Sequence, residues 1–294
     1  MPKMIISADW HIRNTRPRCR TDEDWMLTQK NALNQIRRYA NDKEVPVFVV
    51  GDIFHTVGDT SMQCVTLIQN MARRLRKGLY ILCGNHDLPF HSSENIERSG
   101  VGVLLSSNKI ERIKDWFIDN EVEDYSAEDF DCDTSDAEIV FKHVLCFPDM
   151  KSMPPNVNAM CAKDLLEEYP SAKWIFTGDY HRNFHYEKKG RHVVNSGCLL
   201  RQASDMKDYQ TGFYYVDTDE NIVEFVPIID SDSFIDDSYI IKEKEKIGRI
   251  EEFADSVTKV KKLSLDFLDN VEKSLMEQDF SDDLKDVVKE LCGV

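Results

Sequence analysis

Leu82-Cys83-Gly84-Asn85-His86-Asp87 sets an amide, an imidazole and a carboxylate side by side behind a glycine. The stretch ends the short apolar run Leu79-Tyr80-Ile81-Leu82, which reads as a buried strand. Open α/β folds build sites in this way, with a rigid strand whose carboxyl-end loop carries the chemistry.

The same ending recurs along the chain. Met4-Ile5-Ile6-Ser7-Ala8 runs into Asp9-Trp10-His11, and Val45-Pro46-Val47-Phe48-Val49-Val50 runs into Gly51-Asp52-Ile53-Phe54-His55. Further on, Trp174-Ile175-Phe176-Thr177 ends in Gly178-Asp179-Tyr180-His181. Each acid or histidine taken singly reads equally as a turn residue or a helix cap. Four repetitions on alternating strand and helix segments point instead to a metal site. Imidazole with carboxylate and amide oxygen is the donor set of Mn, Fe or Zn hydrolytic centres.

In order, Asp9-x-His11, Gly51-Asp52, Gly84-Asn85-His86-Asp87, a later His143 and Gly178-Asp179-Tyr180-His181 resemble the calcineurin-like metallophosphoesterase signature. His55, where many phosphatases carry a second aspartate, and the run Asn195-Ser196-Gly197-Cys198-Leu199-Leu200-Arg201 are similar to the SbcD-type DNA-repair nuclease branch with its phage relatives. The resemblance implies a four-layer α/β fold, a two-sheet β-sandwich flanked by helices. It also implies two divalent metal ions, Mn²⁺ first, with Mg²⁺ or Fe²⁺ as alternatives. Metal one would take Asp9, His11, Asp52 and His181; metal two would take Asp52, Asn85, His143 and Asp179, so that Asp52 bridges. His86, oriented by Asp87, would serve the transition state or the leaving oxygen, and His55 would position the phosphodiester. The family's Gly-His-x-His becomes Gly178-Asp179-Tyr180-His181 in this chain, a carboxylate that favours hard ions or else weakens the second site.

The 294 residues, 41% of them hydrophobic, allow a sizeable α/β domain over 1–230 and a helix-rich, acidic region over 231–294. With no bilayer-length apolar run and no signal-peptide pattern, the expected location is cytoplasmic, or host cytoplasm for a phage protein. Eight cysteines without a C-x-x-C pair read as reduced thiols. Net charge is −16, of which −12 falls in 217–294, so the first 216 residues carry only −4. That acidity weakens a nucleic-acid reading, although bound dications or a basic partner would offset it.

Arg13, Arg16, Arg18 and Arg20 form the one basic cluster near the chemistry, either a solvated loop or a contact to flanking phosphates. Thr21 with Asp24 opens a helix whose stripe is Trp25, Leu33, Ile36 and Ala40, and Ser61 opens another with Val65, Ile68, Ala72 and Leu75. Between Asp115 and Glu138, eleven acids and no Lys or Arg suggest a solvated insertion. Residues 213–216 and 222–226 read as a hairpin that completes the second sheet of the sandwich, and 239–294 as amphipathic helices. These pack on the catalytic domain or, as the resemblance implies, dock on an SMC-like ATPase; the chain itself has no Gly-rich phosphate loop for a motor.

Three functions follow. The first is a Mn²⁺-dependent DNA exonuclease and endonuclease subunit, working with the ATPase and in some arrangements as a homodimer. The second is a phosphatase or small-molecule phosphodiesterase, and the third a non-catalytic interaction subunit with a degenerate metal site.

Overall fold

The computed structural model describes residues 3–58, 60–91, 93–107, 109–113, 117–118, 137–155, 157, 159–230, 235–236, 271, 273–276 and 280–292. Two compact units divide the chain, Met1–Ile235 and Asp236–Val294.

In the first unit, one sheet runs in the order β13-β12-β1-β2-β3-β4. Its strands are β1 (Lys3–Ser7), β2 (Val47–Val50), β3 (Leu79–Leu82), β4 (Ile110–Arg112), β12 (Gly212–Asp217) and β13 (Ile222–Pro227). A second sheet, in the order β10-β11-β9-β6-β5, contains β5 (Phe117–Ile118), β6 (Ile139–His143), β9 (Trp174–Gly178), β10 (Phe184–Lys188) and β11 (Arg191–Asn195). The short β7 (Cys146–Phe147) and β8 (Met160–Cys161) pair with each other.

Side-chain alternation sorts the strands into layers. Val47, Val49, Leu79 and Ile81 face a core shared with the helices α1 (Trp25–Lys43), α2 (Met62–Ala72) and α3 (Gly100–Leu105). Their neighbours Phe48, Val50, Tyr80 and Leu82 face the opposite way and meet Phe141, Trp174 and Phe176 of the second sheet. Val140, Ile175 and Val193 cover that sheet's outer face with Leu165 and Leu166 of α4 (Ala162–Glu168). The result is helix, sheet, sheet, helix, the four-layer α/β architecture expected. Phe48 stacks on Phe141 across the sandwich, with ring centroids 5.1 Å apart and planes at 15°.

The β12–β13 hairpin forms as expected but belongs to the first sheet. β12 pairs antiparallel with β1, with Met4 opposite Val216 and Ile6 opposite Tyr214. This register delivers Tyr214 and Val216 to the sandwich core beside Met4 and Ile6, while Phe213 and Tyr215 join the helical side. Capping also differs in detail: Asp24, rather than Thr21, is the N-cap of α1 and accepts the Leu27 N–H. Ser61 caps α2 by accepting the Cys64 N–H.

The basic loop is corrected at Arg20. Its guanidinium is buried, at 1% exposure, and makes a two-bond fork to Asp22 at 2.7 Å and another to Asp230 at 2.7 and 3.0 Å. Arg201 also reaches Asp230, at 3.3 Å. Two arginines and two carboxylates thus tie the 13–24 loop to the segment after β13, and Arg20 is enclosed away from any substrate. Its neighbours reach local backbone: Arg16 donates to the Asp22 carbonyl and Arg13 to the Thr15 carbonyl.

In the second unit, α5 (Asp282–Cys292) buries Leu284 and Val288 against Val271, Leu275 and Phe280. The expected helices over 239–270 and most of the acidic stretch 115–138 lie outside the described residues. Cys19, Cys64, Cys83, Cys146, Cys161 and Cys198 are free thiols, all but Cys83 buried. No described helix is long and apolar enough to cross a membrane.

Candidate active site

The loops leaving β1 and β2 stay paired after the strands end. The Asp9 N–H donates to the Gly51 carbonyl at 3.1 Å, His11 to Asp52 at 2.9 Å and Ile12 to Ile53 at 2.9 Å. Holding this course forces left-handed backbone at Asp9 (φ 47°), His11 (φ 44°) and Asp52 (φ 52°), and Asp179 on the facing loop has φ 81°. Non-glycine residues rarely adopt such angles, which cost about 1–3 kcal/mol each and persist where surrounding structure enforces them. Two glycines let these loops approach. A Cβ on Gly51 would overlap the His143 ring, and one on Gly84 would overlap the Asp52 carboxylate.

Asp52 lies at the centre, 1% exposed. Its Oδ1 accepts the His86 backbone N–H at 3.0 Å. Its Oδ2 is buried without a hydrogen bond among the described residues, while His143 Nε2 at 3.4 Å and His11 Nε2 at 3.7 Å converge on it. His143 Nδ1 donates to the Val50 carbonyl at 2.9 Å, which turns Nε2 into the site, 3.1 Å from Asn85 Oδ1. On the other side, His11 Nε2 and His181 Nε2 face each other at 3.0 Å. Asp9, His11 and His181 offer donor atoms within 4.8 Å of one another, and so do Asp9, Asp52 and His143. A third such group is His11, His55 and His86.

Electrostatics follow from enclosing so many charges. Burial lifts Asp9 to a pKa of about 7, further raised by Asp52 and opposed by His143. Burial acts the same way on Asp52, but His143 and His11 outweigh it and bring the carboxyl down to about 2. His143 is disfavoured as a cation by burial, yet Asp52 and Asp9 raise it to about 10. His11 and His181 are both pushed down, chiefly by burial. The neutral imidazoles of His11 and His181 beside an anionic Asp52 suit a divalent cation, and the protonated His143, 3.4 Å from Asp52 Oδ2, would have to give up its proton to join them.

The expected orienting partner of His86 is replaced. His86 Nδ1 donates to the backbone carbonyl of His55 at 2.6 Å, so Nε2 is the atom presented outward. Asp87, 1% exposed, accepts the backbone N–H groups of Ile53, Phe54 and Gly84 at 3.1, 2.8 and 3.0 Å. It therefore clamps the β2 loop to the β3 loop from beneath. His55 lies beside His86, rings stacked 5.9 Å apart. Asp179 lies next to Asn85 and His143, but its carboxylate is in none of the three donor groups; its backbone N–H donates to both Asp9 oxygens, at 3.0 and 3.1 Å.

Asn195 is a positioning residue whose role the residue types alone did not disclose. Its Nδ2 donates to the Tyr180 and Arg182 carbonyls at 2.6 and 2.9 Å, fixing the loop that carries His181. The Leu199 N–H then reaches the Asp9 carbonyl at 3.2 Å, so the run Asn195–Arg201 fastens the two loops together. If the site is a phosphoesterase centre, replacing His86 with alanine is expected to lower turnover about 10²–10³-fold with divalent-metal stoichiometry retained, since the ring's donated bond goes to backbone; kinetics with calorimetry on the same sample checks it.

No family model matches the chain, and no curated protein matches it. Among solved structures it is similar to an archaeal phosphodiesterase, at 15% identity and a TM-score of 0.42 over 76% of this chain and 99% of that one. A hypothetical protein from Pyrococcus horikoshii is similar at 11% identity and TM-score 0.45, covering 85% and 94% of the two chains. The phosphopantetheinyl hydrolase of Mycobacterium tuberculosis is similar at 10% identity and TM-score 0.42, covering 67% and 90%.

Proposed function

We propose that the chain is a metal-dependent phosphodiesterase of the metallophosphoesterase type and that its substrate is DNA. The observation that carries the reading is the buried Asp52 Oδ2, without a hydrogen bond among the described residues and flanked by the Nε2 atoms of His11 and His143. A buried carboxylate oxygen held only by the long His143 ion pair keeps a lone pair for a cation, which on binding would take the place of the His143 proton. Asp9, His11, His181 and Asp52 would hold one divalent ion; Asp52, Asn85 and His143 would hold another. Bound there, such ions would neutralise a phosphodiester's charge and acidify water for in-line attack at phosphorus. His86 then supplies what the chain itself adds, an Nε2 aimed outward to bond the phosphoryl oxygen or to protonate the departing one.

DNA as substrate is supported by His55 beside His86 and by the sequence resemblance to the nuclease branch. Mn²⁺ suits the mixed carboxylate, amide and imidazole donors. An SMC-like ATPase is the proposed partner, on the sequence resemblance to the nuclease branch; a second copy of the chain is the other proposed partner. Nuclease assays on linear and single-stranded DNA with Mn²⁺, alongside bis-p-nitrophenyl phosphate, test the reading. Cleavage of DNA by the wild type, lost in His86→Ala, is expected. Hydrolysis of the small ester alone would move the assignment to a small-molecule phosphodiesterase.

The raised His143 also sets a pH dependence. Without a cation its ion pair with Asp52 is fully present below the ordinary histidine pKa and is lost as pH rises through about 10. A cation must displace that proton. Mn²⁺ binding at pH 7 is therefore expected to release about one proton per chain from His143 and a further fraction from Asp9, which lies at about 7, and its affinity to fall as pH drops. Calorimetry in buffers of different ionisation enthalpy measures the release; no buffer dependence would remove His143 from the ligand set.

A further inference from the structure

A cavity of about 580 Å³ opens on the Asn85–His143 side of the site. Leu88, Val144, Leu145 and Met160 give it apolar walls, and among the described residues Asp179 contributes the one acidic group of its lining. That volume falls in the range of roughly 300–1,000 Å³ typical of clefts that enclose a small ligand. A flat, mostly apolar body with a hydrogen-bond donor at its edge suits such walls; a nucleobase has that chemistry, and within a stacked duplex it could not enter.

Two features single out the residues that would read it. Asp179 is pinned through its backbone to Asp9, at φ 81°, and its carboxylate belongs to none of the groups with converging donor atoms. Two residues beyond Leu88, Phe90 is 87% exposed and held at φ 56°, a backbone angle that bulky residues rarely adopt. An exposed aromatic ring in a strained loop has no packing to explain it, whereas a base offers a π-face.

We propose that this cavity seats one unpaired nucleotide beside the scissile phosphate, with Asp179 accepting a hydrogen bond from an exocyclic amino group of the base and Phe90 stacking on the adjoining base. This rests on the phosphodiesterase reading and adds to it a preference for amino-bearing bases. Cytosine offers its N4 amino group to the carboxylate, whereas thymine presents O4, which repels it.

The test compares single-stranded oligo-dC and oligo-dT with Mn²⁺ as the metal, reading KM and kcat separately and Mn²⁺ stoichiometry by calorimetry. The wild type is expected to show the lower KM for oligo-dC. Asp179→Ala is expected to raise that KM about tenfold, to the oligo-dT value, with two Mn²⁺ still bound. Asp179→Asn, which offers an amide donor, is expected to favour oligo-dT. Phe90→Ala is expected to raise KM for both oligonucleotides several-fold. Equal KM values for the two oligonucleotides in the wild type, or loss of one Mn²⁺ in Asp179→Ala, would overturn the proposal while leaving the phosphodiesterase reading in place. Hydrolysis of bis-p-nitrophenyl phosphate with neither oligonucleotide cleaved would overturn the proposal alone, and failure on all three substrates would overturn both.

Discussion

Asp52→Ala is expected to abolish turnover, by roughly 10⁵-fold or more, and, on the proposed reading, to remove divalent-metal binding at both positions, because its Oδ2 lies between His11 of one donor group and His143 of another and residues that act as a unit fail together. Asp52 holds the two halves of the site in a single residue: Oδ2 lies 3.4 Å from His143 and 3.7 Å from His11, and Oδ1 accepts the His86 N–H. Its removal also frees His143 from the ion pair that raises it to about 10, so the imidazole is expected to lose its proton nearer to neutrality. Titration of the His143 ring by NMR, with Mn²⁺ stoichiometry by calorimetry, checks both parts. Retention of two Mn²⁺ in Asp52→Ala would contradict the bridging assignment. Asp52→Asn keeps the bond from His86 and separates loss of charge from loss of the loop's shape.

Arg20→Ala is expected to destabilise the first unit by about 3–5 kcal/mol, the cost of leaving buried carboxylates without their cation. The side chain is enclosed, and Asp22 and Asp230 approach it at 2.7 Å on separate nitrogens. Burial works against charge on Arg20 and Asp22 alike, but the shared hydrogen bonds prevail and hold the Asp22 carboxyl below its usual range. Chemical denaturation followed by tryptophan fluorescence reads the loss; Trp25, whose ring lies 5.1 Å from the guanidinium, provides a local probe. A phosphate-contact role for Arg20 predicts the opposite pattern, stability unchanged and KM for DNA raised. Arg20→Met, which fills the space without charge, is expected to be no less damaging, since both acids remain buried.

The strand ends were legible because each carries polar donors behind an apolar run, a contrast that survives without any knowledge of packing. Asp9, His11, Asp52, Asn85, His143 and His181 converge as their positions after strands suggest. Less was readable where sign depends on partners far along the chain. Arg20 looks like a surface cation until Asp230 is placed against it, 210 residues later. The β12–β13 hairpin alternates in a way that suits either sheet, and only pairing with β1 decides between them. Asp87 next to His86 invited a side-chain partnership, yet three backbone donors of two loops claim its oxygens first. In such a tight turn, adjacent side chains point apart, and sequence neighbourhood says little about contact.

The placement of β1 has a consequence for how the chain matures. β1 precedes the other strands of its sheet and lies inside it, but its neighbour on one side, β12, is made some two hundred residues later, and the acid that closes over Arg20 later still. Until then the growing chain exposes one hydrogen-bonding edge of β1, including the apolar Met4 and Ile6 that β12 will flank. Such long-range closure slows folding and prolongs the interval in which an open strand edge can pair with another molecule. The arrival of that last hairpin, which closes on the strand leading into Asp9 and His11, is therefore expected to limit how soon the unit is complete.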